Sequence, residues 1–168
     1  MTGEPIEHTL ILLRHAKAAQ HPAPGGSADR DRPLAPRGRR DATVAGRWLR
    51  DNAGHLDLVV LSPALRVRQT WELAQAELGY TPEVREDDRL YAEPVEELLQ
   101  LIEDLPAEAP TVLFVGHNPE LSRLASTLSG SEVELSTSGI AVLDLAGPWT
   151  GVTSGSARLR ATVTARAE

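Results

Sequence analysis

The chain has 168 residues, of which 17 are Lys or Arg and 24 are Asp or Glu, so its formal net charge is −7. Its length and its 41% of apolar residues predict one domain over residues 1–168 with a sizeable core. Because the sequence contains no Cys, disulfides, thiolate zinc sites, iron–sulfur clusters and a cysteine nucleophile are excluded.

The acidic balance and the shortness of the apolar runs argue against two further classes of protein. A general nucleic-acid binder normally carries a basic excess. A membrane span needs roughly 20 apolar residues in succession, which no run in this sequence approaches. Residues 1–7 are polar and acidic and do not resemble a secretory signal. We therefore expect a cytoplasmic protein that binds neither nucleic acid nor a membrane.

Basic residues are concentrated in the first part of this acidic chain. Residues 14–68 contain eleven Lys or Arg and five Asp or Glu, whereas the remaining residues contain six and 19. Such an asymmetry predicts a local site for an anion, and the alternative is a solvated, Arg-rich helix face. Neither a phosphate-binding P-loop nor a dinucleotide-binding glycine fingerprint is present in the sequence.

Short apolar runs alternate with segments of helical periodicity along the whole chain. The predicted elements are, in chain order, a strand over 8–13, a helix over 39–52, a strand over 58–61, a helix over 63–78, a short strand at Val84, a helix over 94–105, a strand over 111–115, a helix over 119–129, and two antiparallel strands over 139–145 and 157–164. Ser62 and Asn118 are the predicted N-caps of two helices, and Gly130 is a predicted stop. Residues 16–38 form a loop of a length that is usually functional or disordered.

This alternation predicts an α/β fold, a three-layer α/β/α sandwich with a mostly parallel, mixed central sheet. In such folds ligands bind outside the carboxyl ends of the parallel strands. That edge of the sheet is therefore where we expect the chemistry.

Three of the predicted strands are followed directly by residues suited to phosphate chemistry. Arg14 and His15 follow the first strand, Arg66 lies in the first turn of the helix after the second, and His117 follows the third. Arg presents planar, bidentate donors to phosphate oxygens, and a neutral imidazole is a competent nucleophile toward phosphorus near pH 7. The attacking nitrogen needs its lone pair, so the other ring nitrogen should donate to a fixed acceptor such as a backbone carbonyl.

The pattern of these residues resembles that of the histidine phosphatase superfamily, whose members have the phosphoglycerate-mutase-like fold. The resemblance is carried, in the same order over about residues 8–145, by Leu13-Arg14-His15-Ala16, by residues 62–70 and by Gly116-His117. The short chain, the Arg32-Pro33-Leu34 stretch and the lack of a large inserted cap domain are most similar to the small SixA-like phosphohistidine phosphatases.

The resemblance implies a metal-independent phosphatase without a cofactor that works through a phosphohistidine intermediate. His15 would be the nucleophile that becomes phosphorylated. Arg14 and Arg66 would bind the oxygens of the transferring phosphoryl group, and His117 would donate a hydrogen bond to them. Water would then hydrolyse phospho-His15 and release phosphate.

Two positions depart from the pattern of the superfamily. Ala16 follows the nucleophile, where the superfamily usually has Gly. Many members also carry a Glu general acid midway along the chain, and here Glu93 is the best candidate, with capping of the next helix as its alternative role. Because a leaving imidazole needs an acid less than an alkoxide does, the weak acid motif favours phosphohistidine, carried by a protein partner, as the substrate.

Several other polar and aromatic residues have less specific predictions. Lys17 and Arg32 are candidates for substrate binding from the long loop, and the alternatives are a solvated Lys17 and a pair between Arg32 and Asp29 or Asp31. The histidines expected to be exposed are His8, His21 and His55, and the tryptophans expected to pack in the core are Trp48, Trp71 and Trp149.

Two other functions are compatible with the same residues. The first is a small-molecule phosphomonoesterase of the same fold, with Glu93 or a neighbour as its acid. The second is a phosphate-binding module without catalysis, which would need the arginines but would have no use for the nucleophile His15.

Overall fold

The computed structural model describes residues 7–168, which contain one six-stranded sheet. The strands are β1 (His8–Arg14), β2 (Leu58–Leu61), β3 (Glu83–Glu86), β4 (Thr111–Gly116), β5 (Gly139–Leu145) and β6 (Ala157–Thr164). Their order across the sheet is β3-β2-β4-β1-β5-β6. The first four in this order are parallel, whereas β5 and β6 are antiparallel to their neighbours. The predicted mixed sheet is confirmed, including the antiparallel pair at the end of the chain.

Four helices cover the two faces of the sheet: α1 (Pro36–Asn52), α2 (Leu65–Gln75), α3 (Val95–Glu103) and α4 (Glu120–Ser129). Leu10 and Leu12 of β1 pack in one apolar cluster with α3 and α4, and Ile11 and Leu13 pack in a second cluster with α1 and α2. Because β1 is buried on both faces, its run of four apolar residues does not alternate. The three-layer fold class is confirmed. Within residues 7–168, no helix is long and apolar enough to cross a membrane.

The predicted helices exist, but their ends differ from the prediction. Helix α1 begins with Pro36, whose missing N–H makes it well suited to the first turn. Helix α2 begins at Leu65 rather than Pro63, and its N-cap is Ala64 rather than the predicted Ser62. The Ser62 hydroxyl lies 2.7 Å from His117 Nε2 and 3.4 Å from the Ala64 nitrogen. Gly130 ends α4 with a left-handed φ of 71°, as predicted.

The exposed position expected for His8 is wrong. Its side chain is buried, its Nδ1–H donates to the Gly147 carbonyl over 2.9 Å, and its ring lies edge-on to Trp149. His21 and His55 are exposed, as predicted. Two of the three tryptophans, Trp71 and Trp149, are buried, and Trp48 packs against the core while partly exposed.

The packing of α1 against α2 depends on a glycine. A Cβ atom on Gly46 would lie 2.3 Å from the Ala74 carbonyl oxygen, which belongs to the backbone of α2. A distance this short cannot be relieved by a side-chain rotation, so the two helices would have to move apart. Helix α2 carries Arg66, and Gly46 therefore contributes to the placement of that side chain.

Gly46→Ala should lower the free energy of unfolding by about 2 kcal/mol, because overpacking outweighs the higher helix propensity of Ala. Urea unfolding followed by circular dichroism measures the change. Gly151→Ala is the matched control, since its new Cβ would meet only Pro148 at 3.9 Å. Equal stabilities of the two variants would contradict this account of the helix packing.

Candidate active site

The register between β1 and β4 brings two histidines together at the carboxyl edge of the sheet. Arg14 lies opposite Gly116 at the ends of the two strands. His15 and His117 are the residues that directly follow these two. The His15 amide donates to the Gly116 carbonyl over 3.0 Å, which extends the ladder by one bond. The two imidazole rings lie with their centroids 5.3 Å apart at an interplanar angle of 62°.

His15 has the geometry of a neutral nucleophile. Its Nδ1 lies 2.7 Å from the Ala16 carbonyl oxygen, which only accepts hydrogen bonds, so Nδ1 carries the proton and Nε2 keeps its lone pair. The pKa of His15 is lowered to about 4, mainly by burial and also by the guanidinium groups of Arg66 and Arg14, against the opposing effect of the Ala16 carbonyl. The Thr70 hydroxyl of α2 accepts a hydrogen bond from the Ala16 N–H over 3.0 Å, which helps to hold the same peptide segment in position.

Two guanidinium groups, the buried one of Arg66 and the partly buried one of Arg14, each have a nitrogen without a hydrogen-bond partner among residues 7–168. Arg14 donates through Nη1 to the Leu135 carbonyl, and Arg66 donates through Nη1 and Nη2 to the carbonyl and carboxylate oxygens of Asp29, all over 2.9 Å. The Nε atom of each arginine is buried and unpaired. Buried donors are nearly always satisfied in proteins. Unpaired cationic donors beside a neutral imidazole are therefore suited to an anion.

His117 is buried between Arg66, Tyr91 and Ser62. Its Nε2 lies 2.7 Å from the Ser62 hydroxyl and its Nδ1 lies 3.3 Å from Arg66 Nη2. The Tyr91 ring meets the imidazole edge-on with centroids 5.1 Å apart. The pKa of His117 is lowered to about 3, mainly by burial and also by the neighbouring His15 and Arg66. His117 is therefore neutral near pH 7.

A cavity of about 430 Å³ opens above these four side chains. Its walls come from the loop before α1, from the segment after β3 and from the start of α4. Besides the two histidines and two arginines, its charged and polar lining consists of Lys17, Asp29, Arg32, Tyr91, Asn118, Glu120 and Thr137. The sequence-predicted residues Arg14, His15, Arg66, His117, Lys17 and Arg32 thus all face one cavity.

The acid role predicted for Glu93 needs correction. Its side chain is exposed in the segment before α3 and is not part of the cavity lining. The carboxylates that do line the cavity are those of Asp29 and Glu120. One oxygen of Glu120, Oε2, is buried and accepts no hydrogen bond.

Sequence reasoning considered Asp29 only as a partner of Arg32 and missed the rest of its contacts. Asp29 accepts from Arg32 Nε over 2.9 Å, as in that alternative, and it also pairs with Arg66 and Tyr91. The Tyr91 hydroxyl is the main cause that holds the pKa of Asp29 well below its usual range, and Arg32 and Arg66 add to it. The signal available in the sequence was an acidic residue within the long basic loop.

Comparison with known proteins identifies the family. Residues 10–93 match the family model of the histidine phosphatase superfamily (branch 1). A protein of Mycobacterium tuberculosis whose function is uncharacterised is 41% identical over 158 residues, which are 88% of this chain and 96% of that protein. The chain belongs to the histidine phosphatase superfamily.

Solved structures place the chain near the SixA-like members of this superfamily. A candidate phosphohistidine phosphatase SixA from Nakamurella multipartitia is 34% identical with a TM-score of 0.82, over 96% of this chain and 98% of that one. Its counterpart from Agrobacterium tumefaciens is 30% identical with a TM-score of 0.79, over 96% of this chain and 99% of that one. The predicted resemblance to SixA-like histidine phosphatases is confirmed.

The lowered pKa values of His15 and His117 predict how the stability of this histidine phosphatase depends on pH. Unfolded histidines bind a proton near pH 6.5, whereas the folded ones remain neutral down to about pH 4 and about pH 3. Between pH 6.5 and 4 the unfolded state holds more protons, so the free energy of unfolding falls by up to ~1.4 kcal/mol per histidine for each unit of acidification. Urea unfolding at pH 8, 6 and 5 measures this slope.

The double variant His15→Gln and His117→Gln removes both groups and should show a flatter profile over this window. His55→Gln, which replaces an exposed histidine, is the control. A double variant with the same slope as the original protein would contradict the neutral state assigned to the two buried imidazoles.

Proposed function

We propose that this chain is a phosphatase that transfers a phosphoryl group first to His15 and then to water, and that its substrate is phosphohistidine carried by a protein. The observation that carries the proposal is the bond from His15 Nδ1–H to the Ala16 carbonyl, because it aims a neutral Nε2 lone pair. The buried, unpaired guanidinium nitrogens of Arg14 and Arg66 beside it support the same function.

In the first half-reaction, His15 Nε2 attacks phosphorus and the bond from phosphorus to the leaving atom breaks. The electron pair of that bond stays with the leaving group. Arg14 and Arg66 bind the equatorial phosphoryl oxygens, whose charge they neutralise as the transition state forms. Holding the phosphoryl group in line with Nε2 is the other contribution of the pocket.

In the second half-reaction, water attacks phospho-His15 on phosphorus. The N–P bond breaks, its electron pair returns to Nε2, and inorganic phosphate leaves with the proton given up by the water. The ring is then neutral again, with its one N–H proton on Nδ1, where it still donates to the Ala16 carbonyl. The low pKa of His15 keeps it in this form for the next turnover.

The choice of phosphohistidine as the substrate has two supports. Glu93, which the sequence analysis predicted as the acid for an alkoxide leaving group, does not line the cavity, and this favours a substrate that does not need it. An imidazole leaves without such help more readily than an alkoxide. The similar proteins from Nakamurella and Agrobacterium are described as candidate phosphohistidine phosphatases. The cytoplasmic location stays a prediction.

His15→Ala should abolish turnover of a phosphohistidine peptide, because the variant has no nucleophile for the first half-reaction. Brief reaction with labelled substrate followed by an alkaline quench should leave acid-labile phosphate on the original protein and none on the variant. His55→Gln, at the opposite edge of the sheet before β2, is the control and should keep both label and turnover. Full activity of His15→Ala would overturn the assignment.

The second candidate function is hydrolysis of small phosphomonoesters, and Glu120 is the observation that favours it. Its carboxylate lines the cavity in the first turn of α4, and one of its oxygens has no partner. A positioned acid typically contributes about 10²–10⁴-fold to the departure of a poor leaving group. In this candidate function, Glu120 would have the acid role that the sequence analysis gave to Glu93.

Glu120→Gln separates the two candidates when a phosphohistidine peptide and glycerol phosphate are compared as substrates. For a phosphohistidine phosphatase we expect the peptide to be the faster substrate and the variant to retain its rate on the peptide to within about threefold, because the imidazole leaves without an acid. A faster reaction with glycerol phosphate, reduced by the ~10²-fold or more expected of a lost acid, would favour the phosphomonoesterase. Glu93→Gln is the matched control.

A further inference from the structure

Ser62 makes the shortest polar contact of His117, and this contact has no place in the mechanism described so far. The serine follows β2, its side chain is fully buried, and its Oγ lies 2.7 Å from His117 Nε2. The only other contact of this hydroxyl among the described residues is with the Ala64 N–H, over 3.4 Å. The sequence analysis had treated Ser62 as a helix cap.

We propose that Ser62 is a positioning residue that donates its hydroxyl proton to His117 Nε2 and thereby fixes His117 as the tautomer with its proton on Nδ1. The proposal rests on the proposed function and on the role that the family resemblance implies for His117, which is to donate a hydrogen bond to the phosphoryl group. It names the group that prepares His117 for that task before any substrate binds.

Two polar neighbours of the His117 ring, Arg66 and Ser62, determine which ring nitrogen carries the proton. Arg66 always donates, so its contact with Nδ1 calls for a proton on Nε2. Ser62 both donates and accepts; if it donates to Nε2, the proton of the ring belongs on Nδ1. Because burial keeps His117 neutral near pH 7, the ring has one proton. A proton on Nε2 would serve both contacts, with Ser62 as the acceptor, but it would leave the buried Ser62 hydroxyl proton without a partner among the described residues. A proton on Nδ1 lets that hydroxyl donate to Nε2 and gives up only the contact with Arg66.

Distance and the supply of other partners favour Ser62. Its contact with the ring measures 2.7 Å, whereas that of Arg66 Nη2 measures 3.3 Å. Arg66 Nη2 already donates to Asp29 over 2.9 Å, so it loses little without His117. The Ser62 hydroxyl proton, in contrast, has no acceptor other than Nε2 among the described residues. The Ala64 N–H occupies a lone pair of the same oxygen, which leaves its proton free to face the ring.

The resulting arrangement suits an anion. Nδ1–H of His117 and an N–H of Arg66 Nη2 then converge, and two donors that face each other repel until an acceptor lies between them. An oxygen of a phosphoryl group is such an acceptor. The donor pair is present before binding, so phosphate binding requires no proton transfer at His117.

The test measures the tautomer directly by ¹⁵N NMR of the histidine rings near pH 7, with His117→Asn used for assignment. We expect His117 Nδ1 to be protonated and Nε2 to be the lone-pair nitrogen in the original protein. In Ser62→Ala we expect the proton to move to Nε2, because Arg66 is then the only neighbour with a demand on the ring. A proton on Nε2 in the original protein would overturn the proposal, whatever the variant does.

Calorimetry with inorganic phosphate supplies the second measurement. Ser62→Ala should bind phosphate at least tenfold more weakly, and Ser62→Thr, which keeps the hydroxyl, should restore the affinity and the Nδ1 proton. Ser138→Ala is the control, since its hydroxyl is buried near the same edge and has no polar partner. Unchanged phosphate affinity and an unchanged tautomer in Ser62→Ala would overturn the proposal.

These readouts separate this proposal from the proposed function. The tautomer and the phosphate affinity are measured without turnover, so a protein that shows the expected tautomer but hydrolyses no phosphohistidine retains the role of Ser62 and loses the assigned reaction. If Ser62→Ala does not fold, the tautomer of the original protein and of Ser62→Thr still decides: a proton on Nδ1 in both supports the proposal, and on Nε2 in either contradicts it.

Discussion

The parallel pairing of β1 with β4 is the constraint on which the site depends. Its register sets Arg14 opposite Gly116 and continues as the bond from the His15 amide to the Gly116 carbonyl. A shift by one residue would turn the side chains of one strand to the other face of the sheet. It would also break both apolar clusters, since β1 contributes to each. The distance between the two imidazoles is therefore fixed by the same packing that stabilises the core.

Burial determines the electrostatic character of the site. Burial disfavours the protonated form of the two imidazoles, and the nearby cationic side chains add to this effect, so the imidazoles stay neutral. The guanidinium groups stay charged in spite of burial because they are far stronger bases. This division supplies a nucleophile with a lone pair and cations for an anionic ligand at one pH. The carboxylate of Asp29 balances part of the positive charge from the mouth of the cavity. Such an arrangement costs stability in the absence of an anion, which is common at functional sites.

The buried strands and the four central side chains could be predicted from the sequence, because apolar runs with no alternation mark strands covered on both faces. Arg14, His15, Arg66 and His117 each lie next to the end of such a strand or in the helix that follows. Contacts between distant segments could not be predicted in this way.

The failed predictions involve such contacts. His8 is buried because Trp149, far along the chain, packs against it. Ser62, predicted as a helix cap, contacts His117, which lies 55 residues further along the chain. The carboxylates that line the cavity were missed for the same reason: Glu120 enters it from α4, whereas Glu93, the predicted candidate acid, is exposed and outside its lining.

The carboxylate of Asp29 has a consequence for the loop that carries it. Arg66 donates hydrogen bonds from both terminal nitrogens to this residue, and Arg32 and Tyr91 donate to its carboxylate. If a phosphoryl group competes with Asp29 for Arg66, the conformation of the loop and the affinity for the ligand are thermodynamically linked, and each alters the other by the same factor. A substitution that weakens the contacts of Asp29 would then change how strongly Arg66 binds an anion.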